Sequence, residues 1–178
     1  LVTHDHSDHI KSVSALGNKM NIPVYATEGV HNGIERNRFC TFALNGSKRI
    51  ISKGDTFNIK DFQITAFDVP HDSIENVGYH IKVENQVVVL ATDVGRITEE
   101  ITRYVKTANH LIFEANYDEY MLQTGHYPDI LKRRIISGNG HLSNRLAGEF
   151  LATVFHSKLE EIWLCHLSND NNHPELAY

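Results

Sequence analysis

Apolar positions along this chain recur with two periods that take turns. Ile10, Val13, Leu16 and Met20 lie three or four residues apart, which predicts one amphipathic helix over 9–20. A short strand is expected over 22–27 and a helix over 28–37. From 57 to 69 apolar and polar residues alternate as in strands, and 78–83 with 86–93 predict a hairpin around Glu84 and Asn85. Val87 to Leu90 form a continuous apolar run, the pattern of a strand buried on both faces. The helical period returns over 97–108 and a strand follows over 110–116. Helical pieces are expected over 118–125 and 127–137, separated at Gly125 and broken at Pro128. Over 141–157 an apolar stripe runs through Leu142, Leu146, Phe150 and Val154, before a last strand over 159–168. Strands and helices in alternation, with no internal repeat or linker, favour an α/β fold.

With 178 residues the chain can form one domain, 1–178, with a sizeable core. A hydrophobic fraction of 41% and a charged fraction of 22% are ordinary for a soluble globular protein. The formal charge of −5 argues against a protein that coats nucleic acid with a basic surface, but not against a local site, because bound metal ions add positive charge. Cys40 and Cys165 are far apart and have no CxxC partner, so a disulfide framework is not expected and a reducing, cytoplasmic setting is. No apolar run reaches the roughly 20 residues that span a bilayer, so no membrane association is expected. The chain starts at Leu1, in what reads as the end of a buried strand, which suggests that residues precede it. Twelve histidines is the outlying number.

Three of those histidines and two aspartates fall within THDHSDH, residues 3–9. In extended backbone His4 and His6 point the same way, and Asp8 and His9 turn toward a second centre as a helix begins. Two imidazoles for one metal, with a carboxylate and an imidazole for another, make half of a dinuclear site. The alternative is a polar turn in which Ser7 or Asp8 caps the helix. More ligands should sit at rigid strand ends. His71 in FDVPHDS, Asp93 in VVVLATDVG and His166 in IWLCHLS all do. Each alone suits a structural histidine or a capping aspartate, but together with THDHSDH they favour a metal site.

This ordered set, HxHxDH followed by a strand-end His, a strand-end Asp and a late strand-end His, resembles the ligands of the metallo-β-lactamase fold superfamily. The resemblance implies that His4, His6 and His71 hold one metal, that Asp8, His9 and His166 hold a second, and that Asp93 bridges them. It implies a four-layer αββα sandwich, of which this chain lacks the several strands that normally precede HxHxDH. THDHSDH, ATDVG, FEANYDEYML, YPDILKRRIISGNGHLSN and LCHLSNDNNHPELA are similar to the YycJ-like bacterial branch, whose members are regarded as DNA exonucleases. That branch more often has ESNHD where this chain has EANYD, so Tyr117 replaces an imidazole.

The expected function is that of a dinuclear metal-dependent hydrolase cutting DNA, more than RNA, with a metal-activated water. Zn or Mn suits the donors, and Fe is compatible. Asp8 counts among the catalytic groups, as does His141 in GNGHLSN, since related nucleases keep a non-ligand histidine at about this offset before the last ligand. Ser143 and Asn144 are expected to contact phosphate oxygens from a helix start. Lys132, Arg133 and Arg134, the only tight basic run, are expected to position a nucleic-acid backbone. Asp5 is expected to orient a ligand histidine and Glu114 to do so more weakly. The remaining histidines read as structural or surface groups, with His173 the one closest in sequence to the last ligand. Two other readings stay open: hydrolysis of a small ester, thioester or lactam on the same scaffold, and a non-catalytic metal-binding fragment.

Overall fold

The computed structural model describes residues 1–38, 40, 43–44 and 46–178. Near the N-terminus lie α1 (Ser7–Ile10), α2 (Val13–Lys19), β1 (Val24–Thr27), α3 (Glu28–Arg36) and β2 (Lys48–Ile51). They are followed by β3 (Thr56–Ile59), β4 (Phe62–Asp68), β5 (Val77–Val83), β6 (Gln86–Ala91), α4 (Glu99–Val105) and β7 (His110–Glu114). The chain ends with α5 (Glu119–Thr124), α6 (Asp129–Ile135), α7 (Asn144–Val154), β8 (Glu161–Cys165) and α8 (Pro174–Ala177). Among the described residues, no helix is long and apolar enough to cross a membrane.

Two sheets result. β1 and β2 pair in parallel, and β3 to β8 form a six-stranded sheet in sequence order. The strand-like alternation over 57–69 forms a hairpin, β3–β4, turned at Lys60 with φ of 51°. β5 and β6 form the expected hairpin, with Glu84 left-handed at its turn. β6, β7 and β8 then run parallel.

Side-chain alternation stacks these sheets between helices. On β1, Val24 and Ala26 join Val13, Val30 and Ile34 from α2 and α3, while Tyr25 turns the other way. That other way leads to Ile51, Ile64, Ala66 and Tyr79, an apolar layer between the two sheets. The far face of the large sheet carries Val89, Ala91, Leu111 and Phe113 against Ile101 and Val105 of α4 and Ala147, Phe150 and Val154 of α7. The order is helix, sheet, sheet, helix. It is the αββα arrangement of the metallo-β-lactamase fold, with two strands in one sheet and six in the other among the described residues.

The observed elements correct three readings of periodicity. The single helix expected over 9–20 is broken at Lys11–Ser12, serine being a residue that favours helix boundaries. Leu16 and Met20 are exposed, because α2 meets the sheet through Val13, Ser14 and Gly17. A Cβ on Gly17 would come within 2.8 Å of Leu44 Cδ2, so this small face is what lets the helix approach. On α7, Ala147 rather than Leu146 completes the buried stripe. In β6, Val89 and Ala91 are fully buried while Leu90 is only partly buried against the inter-sheet layer.

Tyr79 is fully buried at the inter-sheet layer and its hydroxyl donates to the Val2 carbonyl at 2.6 Å. This bond ties the segment leading into THDHSDH to the large sheet. Tyr79→Phe strips the Val2 carbonyl of this donor and should cost about 1–3 kcal/mol, read as a lower urea midpoint with an unchanged slope.

Candidate metal centre

Strand direction builds the site. β4 and β6 are both antiparallel to β5, so β4, β6, β7 and β8 all point the same way. Their ends therefore open on one edge of the sheet. His71 lies three residues past β4, Asp93 two past β6, Glu114 closes β7, and His166 follows β8 directly. The THDHSDH stretch is brought to the same edge by backbone bonds from Val2 N to Tyr25 O and from Val77 N to Thr3 O. Asp93 and His166 leave their strands with left-handed φ values of 56° and 60°. Asp and His are among the residues that tolerate this region best, and each turn aims the side chain across the sheet edge.

Three imidazoles, His4, His6 and His71, bring ring nitrogens together. His71 Nε2 is 3.3 Å from His6 Nδ1 and 3.6 Å from Asp93 Oδ1, and His4 Nε2 is 3.9 Å from the same oxygen. Asp8, His9 and His166 form a second group, with His9 Nε2 3.4 Å from Asp8 Oδ2 and His166 Nε2 3.9 Å from it. Asp93 sits between the two groups: Oδ1 faces His4 and His71, while Oδ2 lies 3.4 Å from His9 Nε2. All seven residues expected as metal ligands are thus brought to one place.

The donors fit divalent ions. His4 Nε2 and Asp93 Oδ2 are buried with no hydrogen-bond partner, and both side chains are almost fully inaccessible. Buried acceptors without a partner are costly. A metal ion would satisfy both, and a set of imidazole nitrogens with carboxylate oxygens suits Zn, Mn or Fe.

Behind the imidazoles stands a carboxylate that the sequence reading ranked low. Glu114 is fully buried, and its Oε1 lies 2.8 Å from both His141 Nδ1 and His166 Nδ1. Its Oε2 accepts from Val94 N and Leu142 N. Burial alone would raise the Glu114 pKa, but the bonds from His141 and His166 outweigh it and hold the group below its ordinary value. An ionised carboxylate only accepts, so both Nδ1 atoms carry the proton and both Nε2 atoms are left for the site. Burial likewise works against a charged His166, yet Glu114, with Asp93 and Asp8, lifts its pKa to about 9. His4 has no such partner, and burial together with the neighbouring imidazoles lowers its pKa to about 2. Cys165, beside His166, is pushed up to about 12 by burial and by the Glu114 and Asp93 charges, and both cysteines are free thiols.

Other expected residues fall in three places. His141 lines the cleft over the candidate donor groups, its ring 5.0 Å from that of His71 and 5.1 Å from that of His166. The preceding Gly140 carbonyl accepts from His71 Nδ1 at 3.0 Å, and a side chain there would collide with the Ile135 carbonyl. The basic run is divided by α6. Arg134 lines the cleft and pairs with Asp72, Lys132 bonds to Gln123 O beside a separate groove, and Arg133 is exposed. Ser143 and Asn144 do not face the cleft. Ser143 is fully buried, caps α7 and donates to Glu119, and Asn144 is held by Asn172 and the Leu176 carbonyl. Their side-chain donors are spent on packing the C-terminal segment, so the phosphate reading of this pair is dropped. Asp5 accepts from Ile74 N and packs against Gly33 of α3, joining the loop after β4 to that helix rather than orienting an imidazole. Tyr117 lines the groove beside Lys132, away from the ligands, and His173 caps α8.

Two contributors had no expectation attached. Asn116 Nδ2 donates to the His166 carbonyl at 2.7 Å, and Asp72, next to His71, lines the cleft. Each is a polar residue adjacent to a strand end or a ligand, which is the only signal the sequence offers for them.

With this geometry in place, the comparisons with known proteins add the lineage. The family model for the Beta-lactamase superfamily domain matches residues 1–166. The chain belongs to this family. "Exodeoxyribonuclease YycJ" of Bacillus anthracis is 40% identical over 177 residues, 99% of this chain and 66% of that protein. "Exodeoxyribonuclease WalJ" of Streptococcus pneumoniae is 34% identical over 178 residues, 100% of this chain and again 66% of that protein. The chain therefore spans just under two thirds of the length of these relatives. Among solved structures, the metallo-beta-lactamase fold protein YhfI from Bacillus subtilis superposes with a TM-score of 0.69 at 18% identity, covering 98% of this chain and 66% of that one. Beta-lactamase superfamily membership and the clustered imidazoles agree on a site for divalent metal.

Two outcomes follow for the metal. Loading with Mn²⁺ or Zn²⁺ at a hundredfold excess over Kd should stabilise the fold by about 2.7 kcal/mol for each site filled, seen as a higher Tm that a chelator reverses. Glu114→Gln, which removes the charge behind His141 and His166, should weaken metal binding about 10–100-fold by chelator competition. Unchanged affinity would show that the Glu114 charge does not support the ligands.

Proposed function

We propose that this chain carries the active site of a dinuclear metal-dependent phosphodiesterase that shortens DNA from an end. The observation that carries this reading is the convergence of two three-residue donor groups on Asp93, with the Glu114-supported His141 ring beside them in one cleft. The names of the two relatives at 34–40% identity, both exodeoxyribonucleases, support DNA as the substrate.

In this reading His4, His6 and His71 would hold one ion and Asp8, His9 and His166 the other, with Asp93 placed between the two groups. Divalent ions bound there lower the pKa of a water toward neutrality and offset the charge of a phosphodiester. The chain's own residues do the rest. Arg134, on the cleft wall, supplies a cation for a phosphate oxygen, and Asp72 holds it in place. Asp8, whose carboxylate is largely exposed, takes the proton that the attacking water gives up. His141 keeps its Nδ1–H on Glu114 and, in its doubly protonated form, gives the Nε2 proton to the departing sugar oxygen, leaving the neutral ring.

A second reading, hydrolysis of a small ester or thioester, is favoured by the net charge of −5 and by Leu131, Ile135 and Leu167 on the cleft wall. Salt dependence separates the two, because DNA binding releases counterions and a small neutral substrate releases none. His141→Ala should keep its metal content while the turnover of end-labelled DNA falls about 10²–10⁴-fold. Full activity in that variant would remove His141 from the reaction. A metal-loaded protein that hydrolyses a thioester but leaves DNA and RNA intact would favour the second reading.

A further inference from the structure

The cleft over the metal ligands has one wall that the hydrolytic chemistry does not use. Tyr127, between α5 and α6, lines it together with Leu131 and Ile135 of α6 and Leu167 from the loop after β8. Leu131 and Ile135 are four residues apart on α6, so they present one face, and both are half-buried. The Tyr127 hydroxyl donates to Asp170 Oδ2 at 2.8 Å, which tethers the tip of the ring at the wall. Opposite in character are Arg134, His141 and His166, which line the same cleft. The volume of this open cleft is about 390 Å³, room for one nucleotide unit.

We infer that the Tyr127 wall is a pocket for the terminal nucleoside, in which the last base of a DNA strand stacks on the Tyr127 ring while its phosphodiester lies over the metal ligands. A flat aromatic ring accepts any base, because every base has a π-face, so such a pocket selects a chain end without selecting sequence. The hydrogen bond to Asp170 pre-organises the ring, and little side-chain freedom is lost on binding. Leu131 and Ile135 give the base an apolar edge that water does not compete for. The inference rests on the nuclease reading, which supplies the phosphodiester at the ligands.

The test uses the metal-loaded full chain and strands that carry a natural base, an abasic site or 2-aminopurine at the terminal position. Tyr127→Ala should raise KM for the natural strand about 5–100-fold with kcat within about threefold, the range expected for loss of one stacked base. Tyr127→Phe, which keeps the ring, should stay within about threefold of the parent. The parent protein should lose a similar factor on the terminally abasic strand, and combining that strand with Tyr127→Ala should add little more. 2-Aminopurine fluorescence should change on binding when the probe is terminal, and this response should disappear in Tyr127→Ala. Equal KM for natural and abasic strands in the parent protein, or fully additive losses, would overturn the pocket, and the first of these does not depend on the Ala variant being well folded. If no strand is cut yet the terminal probe still responds through Tyr127, the pocket stands and the nuclease reading falls.

Discussion

Four hydrogen bonds converge on the Glu114 carboxylate, and the site depends on them. Two come from the rings of His141 and His166, and two from the backbone of Val94 and Leu142. These partners belong to the turn after β6, the approach to α7 and the end of β8, so a single buried anion joins three separate returns of the chain. Burying a carboxylate is expensive unless it is fully bonded. Hydrogen bonds to a charged group contribute about 1.5–3 kcal/mol each, which is why Glu114 stays ionised where burial alone would protonate it. Its charge also settles the tautomers. With Nδ1 committed to Glu114, His166 turns Nε2 toward Asp8, while His141 keeps Nε2 free for another partner.

The same anion helps explain how strained backbone persists at this edge. Asp93 and His166 are both left-handed, a conformation that costs of order 1 kcal/mol or more for a residue with a side chain. Each is restrained on both sides. Asn76 donates to the Asp93 carbonyl and Val94, the next residue, donates to Glu114, while Asn116 and Glu114 grip the backbone and ring of His166. A straight continuation of β6 or β8 would carry these side chains past the cleft. The turn at each strand end is the geometric price of placing a carboxylate and an imidazole over the sheet edge.

How much of this could be read from sequence depends on the range of the interaction that decides each residue. The convergence of THDHSDH, His71, Asp93 and His166 was legible because side chains gathered at strand ends leave a local mark: a polar donor directly after an apolar run. The β5–β6 hairpin and the amphipathic helices were legible for the same reason, since their periods are local. Glu114 was undervalued because its partners lie 27 and 52 residues away, and nothing beside it in FEAN announces them. The helix over 9–20 was misjudged because α2 packs through Gly17 and Ser14, small residues that a search for apolar periodicity does not weigh. Ser143 and Asn144 were misplaced because a helix start was equated with an open anion site. Here that start is covered by α5 and by the segment around Asn172.

The basic run shows the most consequential difference between composition and geometry. Lys132, Arg133 and Arg134 are consecutive, so a helix fans them about 100° apart and no surface can use all three. Only Arg134 reaches the cleft, and there it shares the wall with Tyr127, Leu131 and Ile135. From this run, cationic reach into the cleft is therefore limited to one guanidinium, already paired with Asp72. Under the proposed nuclease reading these residues do not hold a long nucleic-acid backbone by charge, and the grip on substrate would fall to groups local to the cleft: the metal site beneath the phosphate, Arg134 at its side, and the apolar, aromatic wall for the adjoining group.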